Sequence, residues 1–152
     1  MSDGLFPMTA QTMFGLEDLL VAELEAIGAR DIEKHNRAVG FRGDEACMYR
    51  ANYTLRTALR ILVPVHGFGV RHEEDLYRGI KAMPWERYMD VDDTLSVHCT
   101  LHSDRFTHSQ FLALKAKDAI VDRFRARQGR RPSVDLEDPT LRIHLHVHGD
   151  DC

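Results

Sequence analysis

A chain of 152 residues is the length of about one ordinary domain, or of two small ones. With 43% hydrophobic and 29% charged residues it reads as globular, which excludes disordered, collagen-like and disulfide-stapled classes. Net charge is −4, but residues 115–131 hold seven basic against two acidic side chains, and residues 134–152 hold Arg142 against five acids. The bland reading of such a block is a solvated helix face, and the functional one is a surface that meets phosphate.

The elements follow in chain order. Residues 5–12 mix apolar and polar side chains with Pro7 near the start, as a first or edge strand does. Leu16, Leu19, Leu20, Leu24 and Ile27 fall at helical spacing, with Glu17, Asp18, Glu23 and Glu25 opposite and Gly28 placed to end the helix. Two short strands are expected at 30–34 and 38–42, joined by a turn at His35-Asn36-Arg37. Asp44 is placed to cap a second helix through Cys47, Met48, Ala51 and Leu55, and residues 58–66 read as a fourth strand. The order β-α-β-β-α-β is the ferredoxin-like plan.

After Gly67-Phe68-Gly69 a helix face of Leu76, Ile80 and Met83 stops at Pro84. Residues 95–102 alternate, with Leu95, Val97, Cys99 and Leu101 on one side and Ser96, His98, Thr100 and His102 on the other. Thr107 and Gln110 are spaced as a capping box for a long helix that buries Leu112, Ala116, Ala119, Ile120 and Phe124 and ends at Gly129. Residues 142–148 alternate again, and Gly149-Asp150-Asp151 reads as a hairpin turn. A strand is expected after such a turn, so the chain reads as an N-terminal piece of a longer one.

Cys47, Cys99 and Cys152 are scattered without CxxC spacing, Met1-Ser2-Asp3-Gly4 lacks the pattern of a secretory leader, and no apolar run reaches the ~20 residues of a membrane helix. A cytoplasmic location without a membrane partner is the expectation. His144, His146 and His148 share one strand face, and His98 and His102 share another. No carboxylate or cysteine completes an evident ligand set, so a solvated sheet surface outweighs a metal site. His102, Asp104, His108 and Ser109 supply the residue types of a nucleophile and base, but within one short loop, where triads depend on tertiary placement. Gly67-Phe68-Gly69 is half of a nucleotide fingerprint, without its third glycine or acidic partner. The basic helix is the better signal, because phosphate contacts need cations on flexible stems. Arg30, Arg37, Arg42, Arg50, Arg56 and Arg60 add scattered positive charge. Trp85, Tyr88 and Phe106 are the candidate stacking rings, each as readily core.

The stretch His108-Ser109-Gln110-Phe111, continued by Lys115, Lys117, Asp118, Ala119, Ile120, Val121, Asp122 and Phe124, resembles the THUMP domain of bacterial large-subunit ribosomal RNA guanine-N2 methyltransferases. So does Pro132-Ser133-Val134-Asp135 with Pro139, Leu141 and Arg142. Upstream, Phe14-Gly15-Leu16-Glu17-Asp18-Leu19-Leu20, Glu23-Leu24, Val39, Phe41, Gly43 and Tyr49-Arg50 resemble the ferredoxin-like domain that precedes THUMP in that family, and Asp75-Leu76-Tyr77 with Trp85 also match.

The resemblance implies an α+β chain: a ferredoxin-like domain over residues 4–66, then an α/β THUMP domain over 67–152 that is cut short at its end. It also implies the RNA-binding portion of a transferase that uses S-adenosylmethionine in rRNA processing. The cofactor's glycine loop and the Asn-Pro-Pro-aromatic motif are absent from this sequence. No catalytic, cofactor or metal residue is therefore assigned to the chain. The cofactor and the chemistry go to a covalently linked Rossmann-like methyltransferase domain outside it, and whether this chain counts as an enzyme stays open. The expected contacts to ribosomal RNA are Lys115, Lys117, Arg123, Arg127, Arg130 and Arg131. A stand-alone THUMP adaptor that presents RNA to a partner enzyme, and a fragment of an adenine or DNA methylase, are the alternatives.

Overall fold

The computed structural model describes residues 4–152. Met1, Ser2 and Asp3, read above for a leader, lie outside the described residues. The chain divides between Val65 and His66 into two units, each with its own apolar core.

The first unit has the ferredoxin-like plan. It runs β1 (Phe6–Thr12), α1 (Glu17–Ala26), β2 (Arg30–His35), β3 (Ala38–Gly43), α2 (Glu45–Thr54) and β4 (Ala58–Leu62). The antiparallel sheet has the order β2-β3-β1-β4. Period-2 alternation turns Met8 and Ala10 of β1 and Val39 and Phe41 of β3 onto one face, where Leu20 and Leu24 of α1 and Cys47 and Ala51 of α2 cover them. The Asp44 carboxylate caps α2 by accepting the Cys47 amide at 2.7 Å.

Two expectations are corrected here. The fourth strand ends at Leu62 and does not reach residue 66, because its ladder with β1 runs out at Thr9↔Leu62 and Pro64 brings no amide to extend it. Leu19 is exposed and not part of the buried α1 face.

The second unit runs α3 (Glu73–Ala82), a 3-10 turn (Trp85–Arg87), β5 (Thr94–His102), α4 (Ser109–Gln128), β6 (Ser133–Val134) and β7 (Leu141–His148). Its sheet, in the order β6-β5-β7, is parallel. Parallel neighbours need a long crossover, and α4 supplies it between β5 and β7. Leu112, Ala116, Ala119, Ile120 and Phe124 of α4 pack with Leu95 and Cys99 of β5, Leu145 and Val147 of β7, and Leu76 and Ile80 of α3. Trp85 is buried there too, its indole nitrogen donating to the Ile80 carbonyl at 2.7 Å.

The Thr107–Gln110 capping box does not form. The N-cap of α4 is His108, without a side-chain bond, so Gln110 sits one position short of the site from which it could reach back. A box forms instead at α3, between His72 and Asp75. After the turn at Gly149, Asp151 pairs with His148 and with Gly69, and Phe68 and Cys152 exchange two backbone hydrogen bonds of 2.9 Å.

Candidate nucleic-acid interface

Helix α4 carries most of the basic block, and its end is shaped by two residues. Gly129 takes φ 69°, a left-handed conformation that costs glycine little, and turns the chain out of the helix. Pro132, fully buried, anchors the chain again three residues on. Arg130 and Arg131 are thus held on a fixed corner beside Arg125 and Arg127 in the last helical turn, where cations also suit the helix dipole.

The six expected contact residues meet different fates. Lys115 reaches across to Glu74 of α3 at 3.4 Å and lies 5.6 Å from the centre of the Tyr77 ring. Lys117 pairs with its neighbour Asp118 at 2.5 Å. Arg123 is the most committed, with its side chain only 11% exposed. Its Nε and Nη2 donate to the two carboxylate oxygens of Glu86 at 2.8 and 2.6 Å, and its Nη1 donates to the Lys81 carbonyl at 2.8 Å. Such a planar, two-pronged bond is the strong form of an ion pair. The Arg123 hydrogen bond holds the Glu86 carboxyl down to about 2, against a smaller opposing effect of burial.

The remaining three are exposed. Arg127 is 60% exposed and touches Glu86 only at 3.5 Å. Arg130, 65% exposed, pairs with Asp92, itself exposed. Arg131 is exposed and makes no ion pair among the described residues.

The Glu86 clamp has a second consequence. It seats the 3-10 turn against α4, so exposed Arg87 and half-exposed Tyr88 follow directly on the carboxylate that Arg123 and Arg127 share. Sequence reading passed over Arg87 and counted Arg125 in the basic block without naming it among the expected contacts; Arg125 is exposed and lies 3.9 Å from Asp122. Arg125 lies within the basic block and Arg87 far from it in sequence, and only packing shows which cations face out. Of the candidate rings, Trp85 and Phe106 are core and Tyr88 remains available.

A second network joins α3 to α4 away from this corner. The Tyr77 hydroxyl donates to Asp122 at 2.6 Å, and Lys81 lies 5.3 Å from the ring centre. The hydrogen bond to Asp122, then burial and the surrounding acids, push the Tyr77 phenol up to about 12.

The histidines form one surface because β5 and β7 are neighbours in register. His98 faces His144 with ring centres 5.8 Å apart, and His146 sits 6.0 Å from His102 and 6.3 Å from His148. Burial, then the charges of His102 and His148, lower the pKa of His146. Among the described residues no group of three or more His, Cys, Asp or Glu is arranged to hold a metal ion. No hydrogen bond joins any two of His102, Asp104, His108 and Ser109 among the described residues. No described helix is long and apolar enough to cross a membrane.

Comparison with known proteins places these elements. Residues 70–152 match the family model for the THUMP domain, and residues 7–62 match that for the RlmL ferredoxin-like domain. A ribosomal RNA large subunit methyltransferase K/L of Syntrophotalea carbinolica is 40% identical over 136 residues, which is 90% of this chain and 19% of the relative. A putative RNA methyltransferase of Synechocystis sp. is 39% identical over 146 residues, 96% of this chain and 38% of its own length. The chain therefore spans less than two-fifths of either curated relative. A crystal structure from Listeria monocytogenes, described as a predicted N6-adenine-specific DNA methylase, superposes with a TM-score of 0.78 at 26% identity, over 97% of this chain and 38% of that one.

Proposed function

This chain belongs to the THUMP domain family, with an RlmL ferredoxin-like domain ahead of it, and on that premise we propose that it is the RNA-gripping portion of a cytoplasmic, S-adenosylmethionine-dependent ribosomal RNA guanine-N2 methyltransferase. The observation that carries the reading is the corner at the end of α4, where Arg127, Arg130 and Arg131 stand outward between a left-handed Gly129 and a buried Pro132. Cations carried on an anchored turn reach phosphates without the backbone first having to be ordered, and they hold RNA by charge and shape and not by base identity.

Lys115, Lys117 and Arg123 take a lesser part in this proposal. Their side chains are only 28, 26 and 11% exposed, against 60 and 65% for Arg127 and Arg130, and Arg123 would also have to leave the carbonyl of Lys81. Arg123 serves instead to seat the 3-10 turn against α4.

S-adenosylmethionine does not fit the described residues. The one segment with part of a nucleotide fingerprint, Gly67-Phe68-Gly69, is engaged in backbone pairing with Asp150 to Cys152, and Phe68 lies against Gly79. Methyl transfer is accordingly assigned to a further domain of the parent protein, in keeping with the greater length of the relatives.

The test is a binding titration of a labelled RNA hairpin over a range of salt. Replacing Arg127, Arg130 and Arg131 together by alanine is expected to weaken binding alike for unrelated sequences. It should also flatten the slope of log K against log salt by about 2 to 3, the loss of three phosphate contacts. An unchanged slope would remove the corner from the interface.

A further inference from the structure

At one end of the ferredoxin-like sheet three connections lie side by side: residues 13–16 after β1, the β2–β3 hairpin at Asn36-Arg37, and residues 55–57 leading into β4. The sheet order places the first between the other two. Thr12, buried at the end of β1, ties them together, its amide donating to the Arg37 carbonyl at 2.9 Å and its hydroxyl to the Thr57 carbonyl at 2.6 Å. Glu17 accepts the amides of Gly15 and Arg37 at 2.8 and 3.0 Å, one on each oxygen. Glu23 accepts the amides of Arg56 and Thr57 at 2.8 and 3.0 Å together with the Thr57 hydroxyl. Three loops are thus fastened to one another from below by a threonine and two carboxylates.

What these fastened loops present outward does not resemble an ordinary solvated surface. Phe14 is 76% exposed, and Met13 beside it is exposed as well. Single exposed apolar residues are common, but here the loop that carries the ring lies between two loops that each carry an exposed arginine, Arg37 and Arg56. Neither Arg37 nor Arg56 forms an ion pair among the described residues, although the charge of Arg56 reaches Glu23. The nearby acids are engaged elsewhere, Glu17 and Glu23 with backbone amides and Asp18 with Lys34 at 2.9 Å. Arg37 also keeps φ 57°, a region that side-chain-bearing residues seldom occupy and that hairpins usually assign to glycine or asparagine. A cation placed at a strained position, outside any ion pair, points to use by a ligand.

An exposed ring on a loop flanked by two arginine-bearing loops is complementary to unpaired nucleotides, the ring to a base and the cations to the neighbouring phosphates. A purely apolar protein partner would use the ring but has no need of an unpaired cation on each side. We propose that this loop cluster is a second RNA contact, in which Phe14 stacks on an unpaired base while Arg37 and Arg56 hold its neighbouring phosphates. The proposal rests on the RNA-binding reading above, but on none of the residues of the α4 corner.

The experiment uses the full chain with two probes, a labelled oligouridylate and a fully paired RNA duplex, followed by fluorescence anisotropy. Phe14→Ala is expected to weaken oligouridylate binding about tenfold, the usual scale for loss of one stacking platform, and to leave duplex binding within about twofold. Phe14→Trp should restore it. Arg37→Gly should weaken the oligouridylate too, while its thermal midpoint stays at or above that of the parent, since glycine suits the left-handed turn. Loop variants that bind both probes like the parent overturn the proposal and leave the ring to a protein partner. Equal losses on both probes overturn it as well, because stacking distinguishes them. If the loop variants are silent while the α4 variants still flatten the salt slope, only this inference fails. If the parent binds neither probe, the RNA reading falls with it.

Discussion

Glu86→Gln separates a structural arginine from an RNA-binding one. The substitution keeps the shape of the side chain but removes the charge that holds Arg123, whose side chain is only 11% exposed and would be left largely buried without its anion. The depression of the Glu86 carboxyl from its ordinary 4.5 to about 2, caused first by the Arg123 hydrogen bond, sets an upper bound of about 3 kcal/mol on the stabilisation. Glu86 is 30% exposed and solvent screens part of that, so the expected loss is about 2 kcal/mol. For a unit of this size the midpoint should fall by about 8–16 °C. The assay is thermal unfolding by circular dichroism, parent against variant, across acidic pH. A carboxylate held below its unfolded value stabilises fully above about pH 4.5, and that stabilisation fades as pH falls toward about 2. The gap between the two proteins should therefore close over that window. RNA binding at neutral pH should survive in the folded variant, because Arg127, Arg130 and Arg131 stay in place. A variant as stable as the parent, or a gap that does not change with acid, would refute the clamp. Loss of salt slope in Arg123→Ala would return Arg123 to the RNA contacts.

Tyr77→Phe should remove the last phenolate to appear in an ultraviolet titration, since the hydrogen bond to Asp122 pushes that phenol up to about 12. Its contribution to stability is whole below about pH 10 and is lost as pH rises toward about 12, so a variant that leaves the titration curve unaltered would contradict the bond. Gly79→Ala places a methyl group 2.4 Å from the Phe68 ring. The fold is then expected to lose about 1–3 kcal/mol to overpacking, and denaturant unfolding with no change in midpoint would show that Phe68 can move aside.

Much of the fold was legible because local pattern reports burial. The alternation through residues 95–102 marks β5, the spacing of Leu112, Ala116, Ile120 and Phe124 marks the buried face of α4, and Asp44 and Gly129 mark helix ends by their own chemistry. Blocks of residues at helix entries and turns carried the family resemblance for the same reason. Other features depend on partners distant along the chain. The end of β4 is set by where β1 stops pairing, the histidine surface exists because β7 lies beside β5, and the cap of α3 forms where no box was expected.

The candidate interface shows the same division more sharply. Sequence alone determined that a basic helix ends at a glycine and continues into two arginines. Only the tertiary structure decided which cations are buried in ion pairs and which stay exposed, because an ion pair depends on distance in space. Arg123 finds Glu86 across 37 positions, and Lys115 finds Glu74 on another helix. Phe14 likewise entered only as part of a block that resembles the ferredoxin-like domain, and its exposure beside two arginine-bearing loops emerged only when three loops met at one end of a sheet.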